Sequence, residues 1–205
     1  MVRKEICDLI PGSGVNLDHF EVIDYPNTGK VEFAFISRIL KEKGIDHYFE
    51  AAKYIKTKYP NTEFHVCGLA TPEYEDKLNQ LNNDGVIIYH GSVSDVREIH
   101  KISSCTILPS YYPEGISNVL LESAACGRPI ITTDRAGCKE TVDDKATGFI
   151  VRQRDTNDLI EKIEKFLSLP WKQQKEMGIA GRMKVEREYD RKIVVAKYIE
   201  ELEKT

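Results

Sequence analysis

The stretch VEFAFISRILKEKGIDHYFEAAKYIKTKYPNTEFHVCGL, residues 31–69, decides the fold. Its opening run, 31–37, is β-branched and aromatic, residues 46–59 have helical spacing, and 63–69 return to a short apolar run. A strand, a helix and a strand in that order form the unit from which parallel sheets are built. The alternation continues downstream. Further strands are predicted at 86–90, 106–110, 130–133 and 149–151, with helices at about 72–82, 96–103, 116–126 and 157–167. Several of these helices open on a capping Asp, Thr or Ser. The expected fold class is α/β, a doubly wound parallel sheet of Rossmann-like type.

On the N-terminal side, Pro11-Gly12-Ser13-Gly14 and Pro26-Asn27-Thr28-Gly29 mark residues 1–30 as a linker or entry loop, expected to be the end of something missing. Residues 31–190 are then the Rossmann-like α/β domain. Beyond Pro170 the spacing predicts two polar helices, 171–188 and about 191–203. The two helices are expected either to pack on the sheet or to reach toward a partner domain, residues 191–205 being the part that would cross to it.

The 205 residues suffice for one large domain, and 41% hydrophobic with 30% charged residues is the balance of a globular protein. A net charge of -4 argues against nucleic acid as a partner, because a phosphate backbone demands a basic face. No apolar run approaches a membrane span and the N-terminus lacks a signal-peptide core, so a cytoplasmic location is expected, with membrane-surface contact only through the missing half. The five cysteines, Cys7, Cys67, Cys105, Cys126 and Cys138, are odd in number and widely spaced, as free thiols would be. The five histidines form no ligand pair, and no metal is expected.

In an open parallel sheet the ligand lies at the carboxyl ends of the strands. After the first strand come Arg38 and Lys43, two cations able to grip a diphosphate, although a solvated charged turn reads the same way. After the fourth come Glu114 and Gly115, and then a helix expected from Ile116 whose free amides suit an anion. Glu114 could accept hydrogen bonds from sugar hydroxyls. Glu122 falls roughly 130° from the apolar face of that helix, where it either meets solvent or accepts from a ribose diol. The edges at 68–71, His90-Gly91-Ser92 and 134–137 carry small residues that leave room for a flat base. His90 by itself reads more readily as a hydrogen-bonded structural residue.

Pro113-Glu114-Gly115 through Glu122-Ser-Ala-Ala-Cys-Gly-Arg-Pro resembles the signature of retaining family-4 glycosyltransferases of GT-B fold, and the stretches around Ser37-Arg38, Lys43-Gly44 and 133–142 resemble bacterial surface-polysaccharide members. The resemblance implies that this is the C-terminal, donor-binding half. Arg38 and Lys43 would bind the diphosphate, together with the segment Gly115, Ile116, Ser117, Asn118 and Val119, whose amides near Asn118 and Val119 contact it. Glu122 would hold the ribose, Glu114 would act at the donor sugar as the catalytic residue, and the backbone of His90, Gly91 and Ser92 would lie near the base. The donor would be a UDP-hexose or UDP-N-acetylhexosamine, with no cofactor or metal required. A saccharide or polyprenyl-linked acceptor would bind through the missing domain, without which no sugar is transferred. Ser37 stands where the family commonly has glycine, and Ser117 where it has Gly or Pro. A non-catalytic nucleotide-sugar-binding module and half of a sugar-nucleotide epimerase remain alternative readings.

Overall fold

A computed structural model describes residues 12–113 and 115–203. Six strands, β1 (Val31–Ile36), β2 (Thr62–Cys67), β3 (Ile88–Tyr89), β4 (Cys105–Leu108), β5 (Ile130–Thr133) and β6 (Gly148–Val151), form one sheet in the order β3-β2-β1-β4-β5-β6. Every neighbouring pair is parallel. Seven α-helices accompany them among the described residues: α1 (Ile45–Lys58), α2 (Pro72–Asn83), α3 (Arg97–Ile102), α4 (Asn118–Ala125), α5 (Thr156–Ser168), α6 (Trp171–Glu188) and α7 (Arg191–Glu203). The doubly wound α/β class expected from the alternation is the observed one.

Strand β1 shows why the sheet is covered twice. From Glu32 to Ile36 it is buried without a break, the mark of a parallel strand with helices on both faces. Phe33 and Phe35 point to one side, where their rings meet Phe166 of α5 at 6.0 Å and Tyr48 of α1 at 5.4 Å. Ala34 and Ile36 point to the other and pack with Ile99 of α3. On that second face Ser123 of α4 bonds Thr106 of β4 at 2.7 Å. Helix α6 then lies directly on α4. At Gly178 a Cβ would fall 2.0 Å from the Gly127 carbonyl oxygen, so only glycine allows the two helices to approach so closely.

Local chemistry sets the boundaries. Asp155 caps α5 by accepting the Asp158 amide at 2.9 Å, and Pro72 sits in the first turn of α2, where its missing N–H costs nothing. Helix α4 starts at Asn118, two residues later than the spacing suggested. The Ser117 amide donates to the Gly137 carbonyl at 2.8 Å, which holds residues 115–117 in a bend and makes Ser117 the N-cap. Strand β3 is shorter than predicted because it is an edge. Ile88 is partly exposed, and the Asn82 side chain takes the Tyr89 amide at 2.9 Å.

Residues 12–30 hold no regular element beyond a bridge from Val15 to Asp190, yet they are tied down. Arg128, with no exposed surface, donates to the carbonyls of Ile23 at 3.1 Å and Asp24 at 2.8 Å. At the other end Val194 is the buried residue of α7, while Val195, Tyr198, Ile199 and Leu202 are exposed. No helix among the described residues is long and apolar enough to cross a membrane. Cys67, Cys105, Cys126 and Cys138 are buried free thiols, and Cys7 lies outside the described residues.

Candidate functional site

The strand order reverses direction between β1 and β4. At such a switch point the following loops diverge and leave a crevice at the carboxyl edge of the sheet. The β1 loop carries Arg38 and Lys43; the β4 loop carries residues 109–117 and leads into α4. Two close contacts fix one loop against the other. The Tyr111 amide donates to the Glu42 carbonyl at 2.9 Å, and Gly44, at φ 80°, lies so close to Pro109 that a Cβ would stand 2.1 Å from its carbonyl oxygen.

Lys43 ends a short 3-10 turn and is only 7% exposed, whereas Arg38 is exposed. Both face the ring of Tyr112, the Lys43 ammonium at 4.8 Å from its centre and the Arg38 guanidinium at 5.9 Å. The structure therefore brings the two predicted cations to one aromatic ring. Sequence reasoning missed Tyr112, because nothing in its spacing distinguishes it from Tyr111. That neighbour carries a different cation, the guanidinium of Arg154 at 4.5 Å.

The β4 loop that carries Tyr112 ends at the start of α4. Asn118, Val119 and Leu120 are first-turn residues whose amides lack intrahelical acceptors, and they give this end partial positive charge. Asn118 is exposed and its Oδ1 accepts from Ser13 Oγ at 2.9 Å; Val119 and Ile116 are half-buried. Gly115 is exposed with nothing close to its Cβ position, so a ligand can come near this backbone. Ser117 is buried as the N-cap. Glu114 lies outside the described residues.

Glu122 is half-buried on α4 rather than fully solvated. Burial pushes its carboxyl up to about 7, and the opposing charge of Arg191 offsets only part of this. Its side chain makes no hydrogen bond or ion pair among the described residues. A carboxyl group kept partly out of water without a hydrogen-bond donor beside it is poised to accept hydrogen bonds from a ligand.

The third edge, His90-Gly91-Ser92, follows β3. The His90 amide donates to Val66 at 2.9 Å, Gly91 at φ 66° accepts from the Gly68 amide at 2.8 Å, and Ser92 is exposed. Gly68 is itself required, since a Cβ there would lie 1.8 Å from the Ser37 carbonyl oxygen. The His90 side chain bonds His65, which in turn bonds Glu32. Among the described residues, Glu32, Glu63 and His65 alone cluster as a metal would require, with ligating atoms within 4.8 Å. Each is already engaged: His65 with Glu32 and His90, and Glu63 with Lys30.

Comparison with known proteins adds the family. The description "Glycosyl transferases group 1" matches residues 22–184. The capsular polysaccharide biosynthesis glycosyltransferase CapM of Staphylococcus aureus is 33% identical over 165 residues, covering 78% of this chain and 42% of the relative. The N,N'-diacetylbacillosaminyl-diphospho-undecaprenol alpha-1,3-N-acetylgalactosaminyltransferase of Campylobacter jejuni is 29% identical over 178 residues, covering 80% and 46%. The chain thus spans less than half the length of these two relatives. HepE of Anabaena, solved in complex with UDP and glucose, superposes with a TM-score of 0.83 at 15% identity, over 99% of this chain and 58% of that one. The C-terminal domain of the glycosyl transferase group 1 protein LpcC from Francisella tularensis superposes at 0.73 with 25% identity, over 86% of this chain and 99% of that domain. The parallel sheet, the crevice at its switch point and the match over most of the sequence agree: this chain belongs to the glycosyl transferases group 1 family.

Proposed function

We propose that this chain is the donor-binding half of a retaining glycosyltransferase. It would bind a UDP-hexose or UDP-N-acetylhexosamine and serve transfer to a saccharide or polyprenyl-linked acceptor in surface-polysaccharide assembly. The observation that carries this reading is the convergence of Arg38 and Lys43 on Tyr112, in the loop that leads into the start of α4 at the sheet's switch point. A diphosphate in that crevice meets cations on one side and backbone amides on the other. As the bond to the sugar breaks, negative charge grows on the departing diphosphate, and these fixed groups stabilise it without a metal or cofactor. Glu122 accepts hydrogen bonds from the ribose hydroxyls, and the edge at residues 90–92 lies along the base. Glu114 acts at the donor sugar. The acceptor is held by the half of the protein outside this chain. The names of the Campylobacter and Staphylococcus relatives, and the UDP bound to HepE, support this choice of donor and process.

Calorimetric titration of the chain with UDP, GDP and ADP tests the reading, repeated with Glu122→Ala and with Arg38→Ala plus Lys43→Ala. Preferential binding of UDP that is lost in the variants is expected. Equal binding by wild type and variants would remove the assignment.

A further inference from the structure

A line of three side chains that the proposed donor chemistry does not use runs beneath the edge that carries His90. Glu32 on β1 is 9% exposed and His65 on β2 is 3% exposed. His65 Nε2 lies 3.0 Å from Glu32 Oε2, and His65 Nδ1 lies 2.9 Å from His90 Nε2. The two imidazoles stack with centroids 5.2 Å apart. Glu63, 4.0 Å from His65, is held by the Lys30 ammonium at 2.5 Å. Burying a carboxylate in the sheet is costly unless its partners are fixed.

Donor and acceptor counting gives this line a direction. An ionised carboxylate only accepts, so the hydrogen between Glu32 and His65 sits on His65 Nε2. Neutral imidazole has one N–H, which leaves a lone pair on His65 Nδ1. The hydrogen in the next contact then belongs to His90 Nε2, and His90 Nδ1 is left as a lone pair. Burial and the neighbouring His65 both lower the pKa of His90, which favours its neutral form. Its Nδ1 has no hydrogen-bond partner among the described residues and is not sealed from solvent.

We propose that Glu32 and His65 are positioning residues that hold His90 as its Nε2–H tautomer, so that His90 Nδ1 accepts a hydrogen bond from the ring N–H of the donor's base, as uracil offers at N3. This rests on the reading that residues 90–92 line the base.

Two measurements at pH 8 test it. In ¹⁵N-correlated spectra of the labelled chain, His90 Nε2 is expected to carry the proton and Nδ1 to be bare, with the Nδ1 resonance moving on addition of UDP. A protonated His90 Nδ1, with His65 protonated on both nitrogens, would overturn the proposal. In calorimetry, N3-methyl-UDP, which lacks the donor, is expected to bind about tenfold more weakly than UDP, as for loss of one hydrogen bond. The His65→Leu variant should abolish that difference by weakening UDP alone. Glu32→Gln, the milder change should His65→Leu fail to fold, should shrink the difference and leave binding of the methylated probe unchanged. If UDP binds but methylation costs nothing, the base contact is wrong while the donor site stands. If UDP does not bind at all, the donor-site reading itself fails and takes the contact with it.

Discussion

The Lys43 ammonium lies 4.8 Å from the centre of the Tyr112 ring, and Arg38 faces the same ring at 5.9 Å. One aromatic ring thus holds two like charges before any anion arrives. Each such contact is worth about 0.5–1 kcal/mol at a partly exposed site. Tyr112→Phe keeps the ring and should leave UDP affinity within about twofold of wild type, whereas Tyr112→Ala should lower it roughly fivefold to tenfold. Titration calorimetry reads both; equal affinity for the two variants would show that the ring does not organise the cations.

The Glu122 carboxyl makes the site a cost to the fold. Its pKa is raised from 4.5 to about 7, so the unfolded chain releases this proton first as pH rises. Stability is intact below about 4.5 and is lost progressively up to about 7. Glu122→Gln should therefore be more stable than wild type at pH 8, by on the order of 1–2 kcal/mol after allowing for the solvent that reaches the carboxylate. At pH 4 the two should be alike. Urea melts at both pH values, with UDP binding lost in the variant, check the prediction.

His100 acts in the opposite direction. It is fully buried, neither ring nitrogen has a hydrogen-bond partner, and burial with the nearby Arg128 charge lowers its pKa to about 3. The unfolded chain takes up this proton as pH falls below about 6.5 and the folded chain does not, so stability drops by about 1.4 kcal/mol per pH unit down to about 3. His100→Leu removes that contribution without breaking a side-chain hydrogen bond. Its urea-derived stability between pH 6 and 4 should fall less steeply than that of wild type. Parallel slopes would mean that His100 is protonated in the native state.

Gly44 joins packing to binding. At φ 80°, with the Pro109 carbonyl where a Cβ would go, Gly44→Ala must push the β1 loop away from the β4 loop. Overpacking and left-handed strain together should cost about 2–4 kcal/mol. Because Lys43 precedes it, UDP affinity should fall in the fraction that still folds. Thermal melting and calorimetry on the same sample separate the two losses.

Much of this was legible because parallel strands and amphipathic helices carry strong periodicities. The spacing placed α6 and α7 at their observed bounds, and it placed Arg38 and Lys43 on the loop after β1 and Glu122 on α4. Contacts across the sheet were not legible. Glu32 and His65 meet because β1 and β2 pair in a register that sets Glu32 beside Glu63 and Ala34 beside His65, and register is a property of the assembled sheet. Tyr112 was hidden for a similar reason, since which cations an aromatic ring faces depends on where two distant loops converge. The late start of α4 follows from one hydrogen bond to Gly137, a residue that helical periodicity does not consult.

The switch point is also a seam. Strand β1 pairs with β2 along its whole length and with β4 at Phe33↔Cys105 and Ala34↔Thr106, where the Ser104 amide also donates to the Glu32 carbonyl at 2.6 Å. The order of the strands reverses at this pairing, and the loops that follow β1 and β4 leave the sheet from its carboxyl end. A diphosphate bridging the β1 loop and the start of α4 would work as a clasp across the join. Occupancy would then slow amide exchange on both sides of the join at once, well beyond the residues that touch the ligand.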